Sequence, residues 1–316
     1  MLHDLLEELQ VDVFCTNTMP ARHEALGIDY ESLSEGRPDL IWASISAMGT
    51  DRPEVPGYDP ATQALCGYMD LTGQRDGPPL QCGPPIIDLK AGDEVFAQVL
   101  LAMLERAQVG RGKKIDVSMA HAAVSWLQTF LPMLAMGCPP EDLRRSGNEH
   151  RQFIPVNAYP TSDGWIYMAL GSDDQWSRLV DEDMFASLDE DRFRTNEGRR
   201  ADKVELHRRI AQITSEHAKD EVSAAFVRAA VPHSPISRIE EVAELPFVRE
   251  SALSTTTPDG RRIQLPPPAV PTPWLVEHDG ELPFAPAYGQ DNDSILGEIG
   301  FSPQRISALR AAGILA

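Results

Sequence analysis

Val11-Asp-Val-Phe-Cys-Thr-Asn17 and Asp39-Leu-Ile-Trp-Ala-Ser-Ile-Ser46 decide the fold. Each is a short run rich in branched apolar residues that ends in polar ones, the pattern of a buried strand running into a loop. Between them, the polar stretch from Glu24 to Pro38 has the length and composition to carry a helix. Strand, crossover helix and strand make an α/β domain with parallel strands, because a crossover of this length returns the chain in the same direction. Upstream, residues 2–10 read as the end of a helix.

Downstream of Ser46, Pro53 to Asp59 is a loop punctuated by prolines and Gly57. Pro60 to Thr72 reads as a helix closed by Gly73, and a second Gly/Pro-rich loop runs from Gly77 to Pro85. In the helix that follows, Val95, Val99 and Met103 recur every four residues, and Phe96, Leu100 and Leu104 repeat the spacing one residue later. The two rows predict a broad apolar stripe for core packing, ending near Gly110. Ala120 to Met136 reads as one more apolar helix. After residue 150 the texture changes. Residues 157–169 read as two strands joined at Ser162-Asp163-Gly164, followed by charged helical stretches over 173–182, 202–218 and 220–230. Residues 258–288 are proline-dense and read as an extended linker, and Asn292 to Ala312 returns to helical patterning.

Composition excludes several classes of function. The 316 residues carry 48 acidic and 28 basic side chains, a net charge of −20. Such a surface repels nucleic-acid backbones and anionic membranes, so neither is expected as a partner. No apolar run is long enough to span a bilayer, and the acidic, amphipathic N-terminus lacks the form of a signal peptide. The four cysteines, Cys15, Cys66, Cys82 and Cys138, form no C-x-x-C pair. They read as reduced thiols of a cytoplasmic protein rather than as a disulfide framework or a metal site.

Motifs for dinucleotides, nucleotide phosphates, zinc and serine hydrolysis are absent. Of the scattered histidines, His121 reads as a satisfied core residue, and His207 and His217 as surface residues of a charged helix. The segment with chemical promise is Pro84-Pro-Ile-Ile-Asp88-Leu-Lys-Ala-Gly92, where an aspartate follows a Gly/Pro loop and opens the best helix. Asp88 could be an N-cap, for which aspartate is preferred. The other reading is a carboxylate presented at a helix terminus, already ionised at neutral pH and able to attack a thioester carbonyl, with first-turn N–H groups steadying the oxyanion.

These residues also belong to a longer pattern. Gly57-Tyr-Asp…Gln63-Ala…Gly67…Leu71-Thr-Gly73…Asp76-Gly-Pro-Pro79…Pro85-Ile-Ile-Asp88…Ala91-Gly92 resembles the central signature of the class III (CaiB/BaiF-type, formyl-CoA transferase-like) coenzyme A-transferases. It continues through Leu104-Glu-Arg106…Gly110-Arg-Gly112…Ile115-Asp-Val-Ser-Met119. Asn17-Thr-Met-Pro20, Tyr159-Pro-Thr…Asp163-Gly-Trp165 and Gly289-Gln…Ile299-Gly-Phe-Ser302 are similar to the family's flanking segments, in order along nearly the whole chain.

The resemblance implies an α/β fold with a partial Rossmann-like large domain over 1–150 and a smaller α+β domain over 151–250. Residues 251–316 would then be a linker and a C-terminal segment returning to the large domain. It also implies an interlocked dimer, or a heteromer with a related subunit, and a site between large and small domains. Asp88 would be the nucleophile of an acyl relay, passing through a mixed anhydride and an aspartyl-CoA thioester. Asn17, Thr18, Gly57, Tyr58 and Asn148 would contact CoA or substrate. CoA and acyl-CoA would be substrates alongside a small carboxylic acid, with no permanently bound cofactor and no metal. Thr18 and Met19 replace the family's usual Phe and Arg, and the chain begins where the family is already inside its first domain. Two alternatives remain. One is an α-methylacyl-CoA racemase, disfavoured because Tyr58 stands where that branch has His. The other is a non-catalytic, truncated subunit of a heteromeric transferase. The loop Arg145 to Gln152 offers Arg145 and Arg151 either as partners for a substrate carboxylate or as two solvated side chains. The acceptor is read as a dicarboxylate such as succinate.

Overall fold

The computed structural model describes residues 1–316 as two compact units, Met1–Gln152 and Phe153–Ala316.

In the first unit, β1 (Val13–Thr16), β2 (Ile41–Ser46) and β3 (Lys114–Ser118) form a parallel sheet in the order β1-β2-β3. Val13 pairs with Ile41, and Trp42 with Lys114. Four consecutive residues of β2, Ile41 to Ala43 with Ser44, are buried, as a central parallel strand covered on both faces requires. The β1–β2 crossover holds two helices rather than one. His23–Leu26 stops at Gly27, which takes φ 64°, a left-handed turn that favours glycine. Tyr30–Gly36 restarts from Asp29, whose Oδ1 accepts from Ser32 N at 2.8 Å.

The second crossover runs through the long helix Ile86–Val109, which ends at Gly110. Its buried face is Ile87, Ala91 and Ala102, with Val95 and Val99 packed partly against the same core. The row Phe96, Leu100 and Leu104 is exposed, at 67%, 46% and 67%. Met103 of the first row is exposed as well, so only Val95 and Val99 of the expected stripe meet the core. Arg106 anchors the far end, donating to Asp39 O at 3.2 Å and to Asp12 Oδ1 at 2.6 Å.

Two of the expected helices are broken. The stretch 60–72 divides into Asp59–Leu65 and Tyr68–Leu71 at Gly67, whose φ is 86°. The stretch 120–136 divides into Met119–Ser125, a 3₁₀ turn at Trp126–Thr129 and Leu131–Ala135. Pro132, which has no N–H to donate, sits in the first turn of the last piece, and Leu127 before it is non-helical.

In the second unit, β4 (Val156–Thr161), β5 (Gly164–Ala169) and β6 (His233–Pro235) form an antiparallel sheet. The helices Asp173–Val180, Lys203–Ser215 and Lys219–Arg228 contribute Trp176, Leu179, Leu206, Ile210, Val222 and Phe226 to one closed core with the sheet. His207 is half-buried rather than on the surface, with Nδ1 2.6 Å from the hydroxyl of the buried Tyr159. The proline-dense region is not simply extended. β7 (Leu253–Thr256) pairs with β8 (Arg262–Leu265) as a hairpin and with β9 (Glu281–Leu282) in parallel. No helix is long and apolar enough to cross a membrane, and the four cysteines are free thiols.

Candidate functional site

The candidate site lies at the carboxyl ends of β1 and β2, where parallel sheets place their ligands. A cavity of about 580 Å³ is lined there by Asn17, Met19 and Pro20 after β1, Ile45 to Ala47 at the end of β2, Val55 to Tyr58, Met119 and Asp88.

Asp88 is in the first turn of the long helix but is not its cap. Pro85 holds the cap position and makes no side-chain cap bond. The acceptor comes from Asp59, 29 residues upstream, whose Oδ2 takes the N–H groups of Ile87 at 2.7 Å and Asp88 at 3.1 Å. Asp59 is 3% exposed, and its Oδ1 accepts from Gln63 Nε2 at 2.5 Å. Gln63, equally buried, accepts from Cys82 N at 2.9 Å. The other N–H groups of the first turn are also engaged, Ile86 N with Pro84 O and Leu89 N with Pro85 O. First-turn N–H groups are therefore not available to an oxyanion, contrary to what the sequence suggests. The Asp88 side chain itself is exposed. Partial desolvation against the cavity wall, and secondly the Asp59 carboxylate, push its carboxyl above the ordinary aspartate range.

Gly57 and Tyr58 reach the cavity because the backbone at 57 presses on Ala47. A Cβ at Gly57 would stand 2.6 Å from Ala47 Cβ, so no larger residue fits without moving the wall. Ala47 is fixed in turn, its carbonyl accepting from Ala120 N at 3.0 Å. Tyr58 caps the Asp59–Leu65 helix through its backbone and leaves its ring 82% exposed at the cavity mouth.

Asn17, Gly57, Tyr58 and Asp88 thus share one cavity, while Thr18 and Asn148 are not in its lining. Thr18 is tied to its own loop: its N–H donates to Thr16 Oγ1, and its carbonyl lies 2.8 Å from Nε2 of the buried His23. Asn148 is exposed on the 144–152 loop. The two arginines of that loop have structural partners. Arg145 binds Gly77 O at 2.9 Å and Asp70 Oδ1 at 3.1 Å. Arg151 donates to the carbonyls of Asp142, Leu143 and Arg144 and lies over the Phe130 ring. His121 is exposed rather than in the core, lining a second hollow with Glu94, Gln98 and Asp116. No group of His, Cys, Asp or Glu is arranged to hold a metal ion.

Sequence reading includes Asp59 and Gln63 in the family pattern but assigns them no role. The available signal was their spacing of four within one helix, which puts a carboxylate and an amide on the same face.

The chain is 32% identical to the succinate–glutarate CoA-transferase of Agrobacterium fabrum, over 86% of this chain and 68% of that one. It is 27% identical to the succinyl-CoA:glutarate CoA-transferase of Homo sapiens, over 96% of this chain and 70% of that one. The crystal structure of a CaiB/BaiF family protein from Brucella suis superposes with a TM-score of 0.80 at 27% identity, covering 94% of this chain and 78% of that one. The sequence profile of CoA-transferase family III matches residues 1–292. With profile, relatives and fold in agreement, the chain belongs to CoA-transferase family III.

Proposed function

We propose that this enzyme moves CoA from a succinyl-CoA-like donor to a short dicarboxylic acid, with Asp88 as the covalent relay. The observation that carries the reading is the Asp88 carboxylate, exposed in the wall of the 580 Å³ cavity beside Asn17, Gly57 and Tyr58. Asp88 attacks the thioester carbonyl and expels CoA thiolate, leaving a mixed anhydride. The thiolate attacks the Asp88 carbonyl carbon and releases the donor acid, leaving an aspartyl-CoA thioester. The acceptor carboxylate attacks that thioester, and the returning thiolate takes the acceptor's acyl group and frees Asp88. Atoms and charge balance without oxidant, metal or resident cofactor. The relatives, named as succinate–glutarate and succinyl-CoA:glutarate CoA-transferases, support a dicarboxylate acceptor.

The reading extends to assembly and setting. The exposed row of Phe96, Leu100 and Leu104 supports a second copy packing on the long helix. Four free thiols suit the reducing cytoplasm. Thr18 and Asn148 are proposed to reach CoA or substrate only in the assembled, liganded enzyme.

Covalent trapping tests the relay. The protein is mixed with succinyl-CoA, quenched with hydroxylamine or borohydride, and the modified peptide mapped by mass spectrometry. Modification at Asp88 is expected, absent in Asp88→Asn, with turnover to glutarate lowered roughly a thousandfold or more. Folded protein that exchanges the α-proton of an acyl-CoA without labelling Asp88 would point instead to the isomerase branch.

A further inference from the structure

The long helix presents a contradiction. A carboxylate in its first turn would ordinarily be neutralised in part by the free N–H groups and the positive end of the helix dipole. Here those N–H groups are already bound. Asp59 reaches in from another segment and takes the N–H groups of both Ile87 and Asp88 on one oxygen. No cation accompanies it: its other oxygen is held by the Gln63 amide, and Gln63 by Cys82 N. A buried acid with three N–H donors is an expensive way to cap a helix that an N-cap Ser or Asp could cap locally.

We propose that Asp59 is a positioning residue for Asp88. It takes up the first-turn donors that would otherwise quench the Asp88 carboxylate, and it fixes the backbone from which that carboxylate faces the cavity. The inference rests on the reading of Asp88 as nucleophile. Gln63 is the other member of the device, tying Asp59 to the 77–85 loop that leads into the helix. The surroundings leave few other charges to set Asp88. In the cavity lining, the segments after β1, at the end of β2 and at Met119 contribute no titratable side chain, and Tyr58 is the single one besides Asp88. On the helix itself, Lys90 is committed to Glu94 at 2.6 Å and lies over the Trp126 ring. The direction of the Asp88 shift agrees, with the Asp59 carboxylate raising it in addition to desolvation.

The test compares wild type with Asp59→Asn, which keeps shape and removes charge, and with Gln63→Leu, which keeps the charge and loosens its support. Three readouts are taken: the succinyl-CoA trapping rate at Asp88, the pH profile of kcat, and the Asp88 carboxyl titration by carbon NMR on aspartate-labelled protein, assigned with Asp88→Asn. In Asp59→Asn, kcat and trapping should fall roughly 10- to 100-fold, as misplaced reacting groups do, with KM little changed. The acidic limb and the NMR titration should both move to lower pH. Gln63→Leu should lower kcat and leave the limb on the wild-type side. A folded Asp59→Asn enzyme that loses only thermal stability, with trapping rate and acidic limb unchanged, would overturn the proposal while leaving Asp88 as nucleophile. If Asp59→Asn does not fold, Gln63→Leu decides: kcat and trapping rate at the wild-type level in the folded variant overturn the proposal, and a fall in both with KM little changed supports it. Wild-type protein that never labels at Asp88 removes the nucleophile reading and this inference with it.

Discussion

The two units handle a buried charge in opposite ways. In the second unit one core gathers Trp176, Phe185, Phe193, Phe226 and their neighbours almost completely buried, while Val204, Ile239 and Phe247 of the same unit are exposed. The charged group taken in with them, Arg199, is bonded on all sides: to Ile154 O at 2.6 Å, Phe193 O at 2.9 Å and Asp173 Oδ1 at 2.7 Å, with Trp176 under its guanidinium. In the first unit, apolar side chains of the long helix are left outside, and the buried charge, Asp59, serves the end of that helix beside the cavity. A buried ion that only holds structure is surrounded by groups that cancel it. A buried ion that holds a reactive group leaves something uncancelled, here the neighbouring Asp88.

The sharpest way to break the comparison is Arg199→Ala. It removes a wholly buried guanidinium and strands two carbonyls and Asp173. Loss of one partner from such a cluster costs about 3–5 kcal/mol. Urea unfolding should show the Phe153–Ala316 unit melting early, while trapping at Asp88 in the folded first unit persists. Unchanged unfolding would mean that the bonds around Arg199 stabilise nothing and that the second unit is no better cancelled than the first.

A smaller effect is expected at Gly57→Ala. The new methyl would meet Ala47 Cβ at 2.6 Å, and overpacking of this sort costs about 1–3 kcal/mol. The damage should appear more in kcat than in Tm, because the wall that yields carries Tyr58 and leads directly into Asp59. Adding Ala47→Gly makes room and should restore activity in the double variant. A double variant no better than Gly57→Ala alone would show that the contact does not set the cavity wall.

How much of this was legible in the sequence follows from how local each cause is. β1, β2 and the β4–β5 hairpin were readable because branched residues, alternation and the Ser162-Asp163-Gly164 turn are contiguous signals. The opening of the long helix was readable from Pro84-Pro85 and its apolar rows, but its cap was not, since Asp59 arrives from 29 residues away through tertiary structure. The β7–β8 hairpin was missed although Thr257-Pro-Asp-Gly260 is a turn signal, with Gly260 at φ 84°; the proline density around it dominated the reading. Arg145 and Arg151 were unreadable in another way. Sequence shows a cation but not the carbonyls that will claim it. For the same reason periodicity gave the apolar rows of the long helix and not what covers them.

That last gap leads to the variant with the smallest effect on the chain itself. Phe96 and Leu104 are each 67% exposed, so Phe96→Ser with Leu104→Ser should change the fold's own stability by no more than about 0.5 kcal/mol. If a second copy covers the row in solution, association should respond far more than folding. Wild-type protein should sediment as a dimer, with a Tm that rises with concentration because partner binding stabilises only the native state. The double variant should sediment as a monomer, with a Tm independent of concentration. Dimers of unchanged strength in the variant would place the interface elsewhere and leave the row as bare apolar surface.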